Sequence, residues 1–147
     1  MTYLLDTCIV SKLRKLKIHP DKKLSKWISL HKENSYFLSV LTVGEIQAGI
    51  SKLAHKYPDE LRHRMILEDW LLGELIPRFQ DRILGVSEHV AFAWGKLIGE
   101  GKQKGVNIPL IDALIAATAI VYGLVLVTDN VKDFENLGVE IINPWNL

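Results

Sequence analysis

The fold is decided by one stretch, Ile108-Pro-Leu-Ile-Asp-Ala-Leu-Ile-Ala-Ala-Thr-Ala-Ile-Val-Tyr-Gly-Leu-Val-Leu-Val-Thr-Asp-Asn130, which predicts a helix followed at once by a buried strand. Pro109 favours a helix start, and Gly123 stands where the left-handed residue after a helix is expected. Residues 124–127 form a short, partly β-branched apolar run, typical of a strand that is covered on both faces. Almost all of this stretch is therefore predicted to lie in the core.

Two carboxylates interrupt the apolar stretch, Asp112 in the first helical turn and Asp129 just after the strand. The same order of strand, acidic residue and helix occurs at the N-terminus, where Tyr3-Leu4-Leu5 precedes Asp6. A carboxylate in apolar surroundings is costly to ionise unless a positive charge lies beside it. The positive charge must therefore come either from a basic side chain elsewhere in the sequence or from a cation that the protein binds.

The bulk composition fits one globular domain, residues 1–147, with 48% apolar and 24% charged residues. The net charge of +1 indicates that any site for a polyanion is a local patch. Cys8 is the single cysteine, which excludes an internal disulfide and favours a reducing compartment; we interpret it as a small core residue. No apolar run reaches the about 18 residues of a membrane span. These features predict a cytoplasmic protein with no membrane partner.

Strands and helices alternate along the whole chain. Further strands are predicted at residues 36–40, 82–86 and 139–142, each separated from the next by helical patterns. This alternation predicts the α/β class, with a short, mostly parallel five-stranded sheet flanked by helices. In such sheets, sites form outside the carboxyl ends of the strands, and Asp6 and Asp129 are expected at two of those ends.

Each acidic residue near this edge also has an ordinary explanation. Glu45 follows Thr42 by three residues, the spacing of a helix capping box. Asp112 could oppose the helix dipole, Asp6 and Asp129 could be turn residues, and Asp133 could face water. The evidence for a site is that all of them are expected on the same edge of the sheet.

The region from residue 57 to 80 predicts a helix that pairs with the preceding one, with Leu61, Met65, Trp70 and Leu72 on its apolar side and Pro77 at its end. It contains more large apolar residues than one helix face needs. Core packing is the first interpretation, and a groove for a partner helix is the alternative.

The chemistry of converging carboxylates favours a hard divalent cation. Like charges about 4 Å apart repel by about 4 kcal/mol at an effective dielectric of 20, so such a cluster needs a counter-charge. No Lys or Arg directly flanks Asp6, Glu45 or Asp112, and no His or Cys pair has zinc spacing. Oxygen ligands favour Mg²⁺ or Mn²⁺, which activate water and neutralise the oxygens of a phosphoryl displacement.

Four segments, in order along the chain, resemble the PIN domain, and more narrowly the VapC and FitB-like toxins of bacterial type II toxin–antitoxin systems. They are Leu4-Leu5-Asp6-Thr7, Thr42-Val43-Gly44-Glu45-Ile46, Ile111-Asp112-Ala113-Leu114-Ile115-Ala116, and Val127-Thr128-Asp129-Asn130-Val131-Lys132-Asp133-Phe134. The tail Asn143-Pro144-Trp145 is similar to that subgroup as well.

The resemblance implies a Mg²⁺- or Mn²⁺-dependent endoribonuclease that uses metal-activated water, forms a homodimer and is inhibited by a cognate antitoxin. By motif, the family's first three acids fall on Asp6, Glu45 and Asp112. The fourth falls on Asp133 or Asp129, of which we favour Asp133. The supporting polar groups implied by the resemblance are Thr7, Thr128 and Asn130.

Two other functions stay open at this point. The chain could be a PIN-like module that binds RNA or a partner without cutting, or a structure-specific deoxyribonuclease, because the metal chemistry does not distinguish the sugars. Lysines in the segment 12–17, together with Lys102 and Lys104, are candidate contacts to phosphate.

Overall fold

The computed structural model describes all residues, 1–147, as one α/β domain. Its sheet has five parallel strands in the order β3-β2-β1-β4-β5. The strands are β1 Tyr3–Leu5, β2 Tyr36–Ser39, β3 Ile83–Leu84, β4 Val125–Val127 and β5 Ile141–Ile142. The predicted strand positions and their parallel pairing are confirmed, although the strands at the two edges are shorter than the apolar runs that predicted them.

Helices connect the strands and cover the sheet. Their bounds are α1 Thr7–Lys15, α2 Lys22–Ser29, α3 Val40–Lys56, α4 Leu61–Trp70, α5 Ile76–Phe79, α6 Glu88–Gln103 and α7 Leu110–Tyr122. The helix predicted after Pro109 is confirmed as α7, and Gly123 ends it in the left-handed conformation with φ of 66°. None of the helices has the length and apolar character that crossing a membrane requires.

The central strands are buried on both faces, as their apolar runs predict. Tyr3 and Leu5 point into one core cluster with α1, α2 and α5, whereas Leu4 points into a second cluster with α7. The same alternation holds in β4, where Leu126 faces the second cluster between Val125 and Val127. Helices on both faces therefore fix the register of β1 beside β4.

The helical segment from residue 61 to 79 differs from its prediction. Trp70 packs against the core as predicted, whereas Leu61, Met65 and Leu72 are exposed. The other side chains that pack against the core include Leu67, Leu71, Leu75 and Phe79. A π-helical turn, Leu71–Leu75, lies in the middle of this segment. There the Ile76 backbone N–H donates to the Leu71 carbonyl oxygen, five residues back, so the winding is wider than that of an α-helix.

Pro77 does not end this region, contrary to prediction. It lies in the first turn of α5, directly after the π turn, where its missing N–H falls at a break in the α-helical ladder. Helical backbone therefore runs through to Phe79.

The strand order places a topological switch point between β1 and β4. The chain moves outward from β1 to β2 and β3 on one side, and later to β4 and β5 on the other. Connections leave β1 and β4 in opposite directions, so a crevice opens at their carboxyl ends. Asp6 follows β1 there, and its backbone N–H donates to the Val127 carbonyl oxygen at 3.0 Å.

Candidate metal centre

Asp6 is the most firmly held side chain of the site. It is 8% exposed and caps α1, accepting a hydrogen bond from the Thr7 backbone N–H at 2.9 Å. Its other carboxylate oxygen accepts from the Thr128 hydroxyl at 2.8 Å. Burial raises the pKa of Asp6 above its ordinary value, although the hydrogen bonds oppose that shift. The strand end and the cap together leave this carboxylate with one orientation.

Glu45 reaches the same edge from α3. Its Oε1 accepts a hydrogen bond from the Thr7 hydroxyl at 2.6 Å, and that hydroxyl lies 3.0 Å from the hydroxyl of Thr42. Thr7 thus links the first turn of α1 to α3 and orients the exposed end of Glu45 toward Asp6.

The capping-box interpretation of Glu45 is wrong. The helix starts earlier than predicted, and Ser39 is its N-cap, accepting from the Leu41 backbone N–H at 3.0 Å. Thr42 is buried inside the helix, where it cannot cap. Glu45 is therefore free of the local role that its spacing suggested.

Asp112 carries the electrostatic signature of the site. It lies half-buried in the first turn of α7, and its pKa is raised to about 6. Burial is the largest cause, followed by the negative charges of Asp133, Asp6 and Glu45. Three acids that are far apart in sequence therefore act on Asp112 at one edge of the sheet.

Asp133 joins this group through a short turn. The 3₁₀ turn Val131–Asp133 follows β4, and the Asn130 side-chain amide donates to the Asp133 carboxylate at 2.5 Å. The Asn130 backbone N–H in turn donates to the Thr128 hydroxyl at 3.0 Å. The same threonine thus orients both Asp6 and the turn that presents Asp133.

Asp129 has different surroundings from the other four. Its carboxylate forms an ion pair with Lys12 of α1, and this contact lowers the pKa of Asp129. Asp129 acts electrostatically on Asp6 and is not among the charges that raise the pKa of Asp112. Sequence reasoning missed Lys12 as its partner, because the two residues are 117 positions apart.

Cys8 sits beside the site as a neutral thiol. Its Sγ lies 3.6 Å from the Asp6 carboxylate and 3.5 Å from the Thr128 hydroxyl. Burial, followed by the charge of Asp6, raises the pKa of Cys8 to about 12. A thiol that stays protonated at neutral pH is a poor nucleophile, in keeping with the structural role predicted for it.

The donor set suits a hard divalent cation. Asp6, Glu45, Asp112 and Asp133 supply oxygen only, and none of the three ion pairs in the structure involves them. Their negative charge is therefore uncompensated by protein cations. No three acidic, His or Cys side chains in the structure are arranged closely enough to hold an ion.

These features define a class: a parallel α/β domain with carboxylates gathered at its switch point. Comparison with known proteins agrees with it. The PIN domain family matches residues 3–140. VapC ribonuclease Y4jK of Sinorhizobium fredii is 31% identical over 141 residues, which is 96% of this chain and 96% of that protein.

Solved structures extend the comparison to three dimensions. FitAcB from Neisseria gonorrhoeae superimposes with a TM-score of 0.86 at 29% identity, covering 99% of this chain and 100% of that one. A toxin–antitoxin complex from Klebsiella pneumoniae gives 0.60 at 26% identity, covering 97% and 98%. This chain belongs to the PIN domain family. Nucleases of that family generally use a divalent metal ion.

Proposed function

We propose that this chain is a Mg²⁺-dependent endoribonuclease, the toxin component of a type II toxin–antitoxin system. The observation that carries the proposal is the raised pKa of Asp112 among three other carboxylates, in a PIN domain similar to a VapC ribonuclease throughout its length. A site that protein cations leave negative is one that a divalent ion stabilises. Mn²⁺ can serve in place of Mg²⁺ at the same oxygens.

The roles of the side chains follow from how each is held. Asp6, Asp112 and Glu45 would hold the ion, and Asp133 would complete the set or orient the attacking water. Thr128 fixes the Asp6 carboxylate and Thr7 fixes that of Glu45, while Asn130 aims Asp133. When bound, the ion lowers the pKa of water and neutralises charge on the leaving oxygen. Asp129, paired with Lys12, is outside this set.

Basic side chains beside the carboxylates suit a polyanionic substrate. A surface depression that includes Thr7 and Glu45 is also lined by Arg14 and Lys15 of α1 and by His63 of α4. These groups can contact RNA phosphates on either side of the scissile bond, which gives affinity rather than sequence choice. Lys12 does not belong to this group, because its ammonium group is already paired with the Asp129 carboxylate.

The direct test is cleavage by purified protein, free of any antitoxin, of tRNA and of total RNA. The proposal predicts fragments in Mg²⁺ and none in EDTA, with recovery when Mn²⁺ is added. Asp112→Asn is the matched inactive control. Cleavage that persists in EDTA would refute the metal mechanism.

The same assay separates the rival functions. Single-stranded DNA of the RNA's sequence, and a branched DNA, test for deoxyribonuclease activity; cutting of DNA but not RNA would favour a structure-specific nuclease. RNA retention on a filter, without cleavage in either metal, would favour a binding module.

Partners are inferred from relatives. The similar structure from K. pneumoniae is a toxin–antitoxin complex, and we infer that this chain is likewise inhibited by a cognate antitoxin and forms a homodimer in the cytoplasm. Co-expression with the cognate antitoxin should yield a complex that does not cleave RNA. Sedimentation of the free toxin should give twice the mass of one chain; a monomer would refute the dimer.

A further inference from the structure

The C-terminal turn is held in place beside α2 by polar contacts as well as by packing of Trp145 against the core. The 3₁₀ turn Pro144–Asn146 packs against α2, and the Trp145 indole N–H donates to the Asp21 carboxylate at 2.8 Å. The Lys23 ammonium donates to the Trp145 carbonyl oxygen at 3.1 Å. Asp21 is itself fixed, because it caps α2 through the Leu24 N–H at 3.1 Å. The indole ring therefore has a set position.

Lys12 lies on the face of that ring. Its ammonium is 4.3 Å from the ring centroid of Trp145, within the range of a cation–π contact. The same ammonium forms the ion pair with Asp129 and lowers the pKa of Asp21. Two groups from separate segments of the chain, Trp145 and Asp129, thus hold one partly exposed lysine, whose side chain would otherwise sample many rotamers.

Lys12 forms its ion pair with Asp129, which is the one acidic residue at this edge of the sheet that has a basic partner. Asp129 acts on Asp6 and approaches Cys8, so it is near enough to influence the ion's site. An unpaired Asp129 would add a further negative charge there and offer an alternative ligand.

We propose that Trp145, anchored by Asp21, is a positioning residue that holds Lys12 on Asp129 and so keeps Asp129 out of the metal-binding set. This inference rests on the proposed metal centre, and it gives a reason why Asp133 rather than Asp129 serves as the fourth acid.

The test is a double-mutant cycle read by Mn²⁺ binding, measured by calorimetry or by electron paramagnetic resonance of free Mn²⁺. Lys12→Met keeps most of the aliphatic stem and removes the charge, so Mn²⁺ should bind about five-fold more tightly because Asp129 is released. Trp145→Leu should give about half of that change on a logarithmic scale. Trp145→Phe, which keeps a ring under Lys12, should stay closer to the wild type than Trp145→Leu does.

The decisive arm uses Asp129→Asn as the background. There, Trp145→Leu should no longer alter Mn²⁺ affinity, since the released charge is absent, and Lys12→Met should keep only the smaller increase that comes from removing the positive charge of Lys12 itself. If Trp145→Leu is too unstable to measure, Asp21→Ser keeps a cap for α2 and removes the acceptor of the indole N–H. It should weaken the hold on Lys12 and shift Mn²⁺ affinity in the same direction.

The outcomes separate this inference from the proposed function. Wild-type protein that binds no Mn²⁺ and cleaves no RNA would overturn both. Wild-type protein that binds Mn²⁺, with Trp145→Leu or Asp21→Ser unchanged in affinity, would overturn the positioning role alone. So would a shift in affinity for Trp145→Leu or Asp21→Ser that persists in the Asp129→Asn background, because a purely structural effect of the tail would not depend on Asp129.

Discussion

Two clusters of charge in this molecule are built on opposite principles. At Glu33, the carboxylate accepts hydrogen bonds from Arg78 at 2.7 and 2.9 Å and from Arg82 at 3.3 Å, and its pKa is lowered. At the switch point, Asp112 faces three other acids with no basic partner, and its pKa is raised to about 6.

The difference distinguishes a structural carboxylate, which has basic partners within the protein, from one that needs a bound cation. Arg82 also donates to the backbone carbonyls of Glu33, Tyr36 and Arg78, so the first cluster ties a loop to a helix and is complete within the protein. The second cluster costs stability as long as it stays ionised without a cation. A cost of this kind persists where function requires it.

The largest effect is expected for Asp112→Asn. Removing one ligand charge from the ion's site should lower the rate of RNA cleavage at least about 10³-fold, or about 4 kcal/mol of barrier, while the circular dichroism spectrum stays that of the wild type. The exposed acid Asp59 provides the control, and Asp59→Asn should cleave normally. Near-wild-type cleavage by Asp112→Asn would remove this residue from the mechanism.

The next largest effect on cleavage is expected to distinguish Asp133 from Asp129 as the fourth acid. Asp133→Asn should reduce cleavage about 100-fold, because Asp133 is the first of the neighbouring charges that raise the pKa of Asp112. Asp129→Asn should reduce it less than about five-fold, since Lys12 already neutralises that acid. Initial rates at saturating Mg²⁺ compare the two variants, and the reverse order would assign the role to Asp129.

Mg²⁺ should stabilise the protein through the acids of the switch point and not through the cluster at Glu33. At ten times its dissociation constant, Mg²⁺ should add about 1.4 kcal/mol to the free energy of unfolding, which raises the melting temperature by about 4 °C. Asp112→Asn should lose most of this increment, whereas Glu33→Gln should keep all of it. Thermal melts with and without Mg²⁺ give both values, and an equal loss in the two variants would show that the ion does not use the acids of the switch point.

The smallest effects are on the stability of the metal-free protein, and they have opposite signs. The folded-state pKa of Asp112 is about 6 and its ordinary value is 3.8, so the native state binds more protons between these values and stability falls as pH rises from about 4 to about 6. Asp112→Asn should therefore stabilise the metal-free protein at pH 8, by on the order of 1 kcal/mol after discounting for solvent screening.

Glu33→Gln should do the reverse and cost about 1 kcal/mol or less, because half of that side chain is exposed. The pKa of Glu33 is lowered, so its contribution is present at pH 8 and is lost as pH falls through the acid range. Urea unfolding at pH 8 in EDTA measures the change in the free energy of unfolding for Asp112→Asn and for Glu33→Gln. Changes of the same sign in the two variants would contradict the contrast between the clusters.

Much of the site could be predicted because strand ends are visible in the sequence. Asp6 directly follows one apolar run and Asp129 lies two residues after another, and a parallel sheet brings such strand ends to one edge. Asp112 could be predicted because it is the only carboxylate in an otherwise apolar helix. The assignment of Asp133 depended on a family resemblance, since a residue in a short turn carries no periodic signal.

The errors have local physical causes. Thr42 fits a capping box by spacing, but Ser39 caps the helix one turn earlier and the threonine becomes buried. The inward face of residues 61–79 was misjudged because apolar residues occupy several faces and a π turn alters the winding. Lys12 and Asp129 are brought together only by the docking of α1 beside β4, which no local pattern reveals.

The most direct measurement is a carbon-13 NMR titration of the Asp112 carboxyl group, first without metal and then in saturating Mg²⁺. We expect a pKa of about 6 in EDTA and a pKa below the ordinary 3.8 once the ion is bound, because the cation then outweighs the three neighbouring charges. An ordinary pKa without metal, or one that Mg²⁺ leaves unchanged, would contradict the account of this site as a carboxylate cluster that a divalent cation completes.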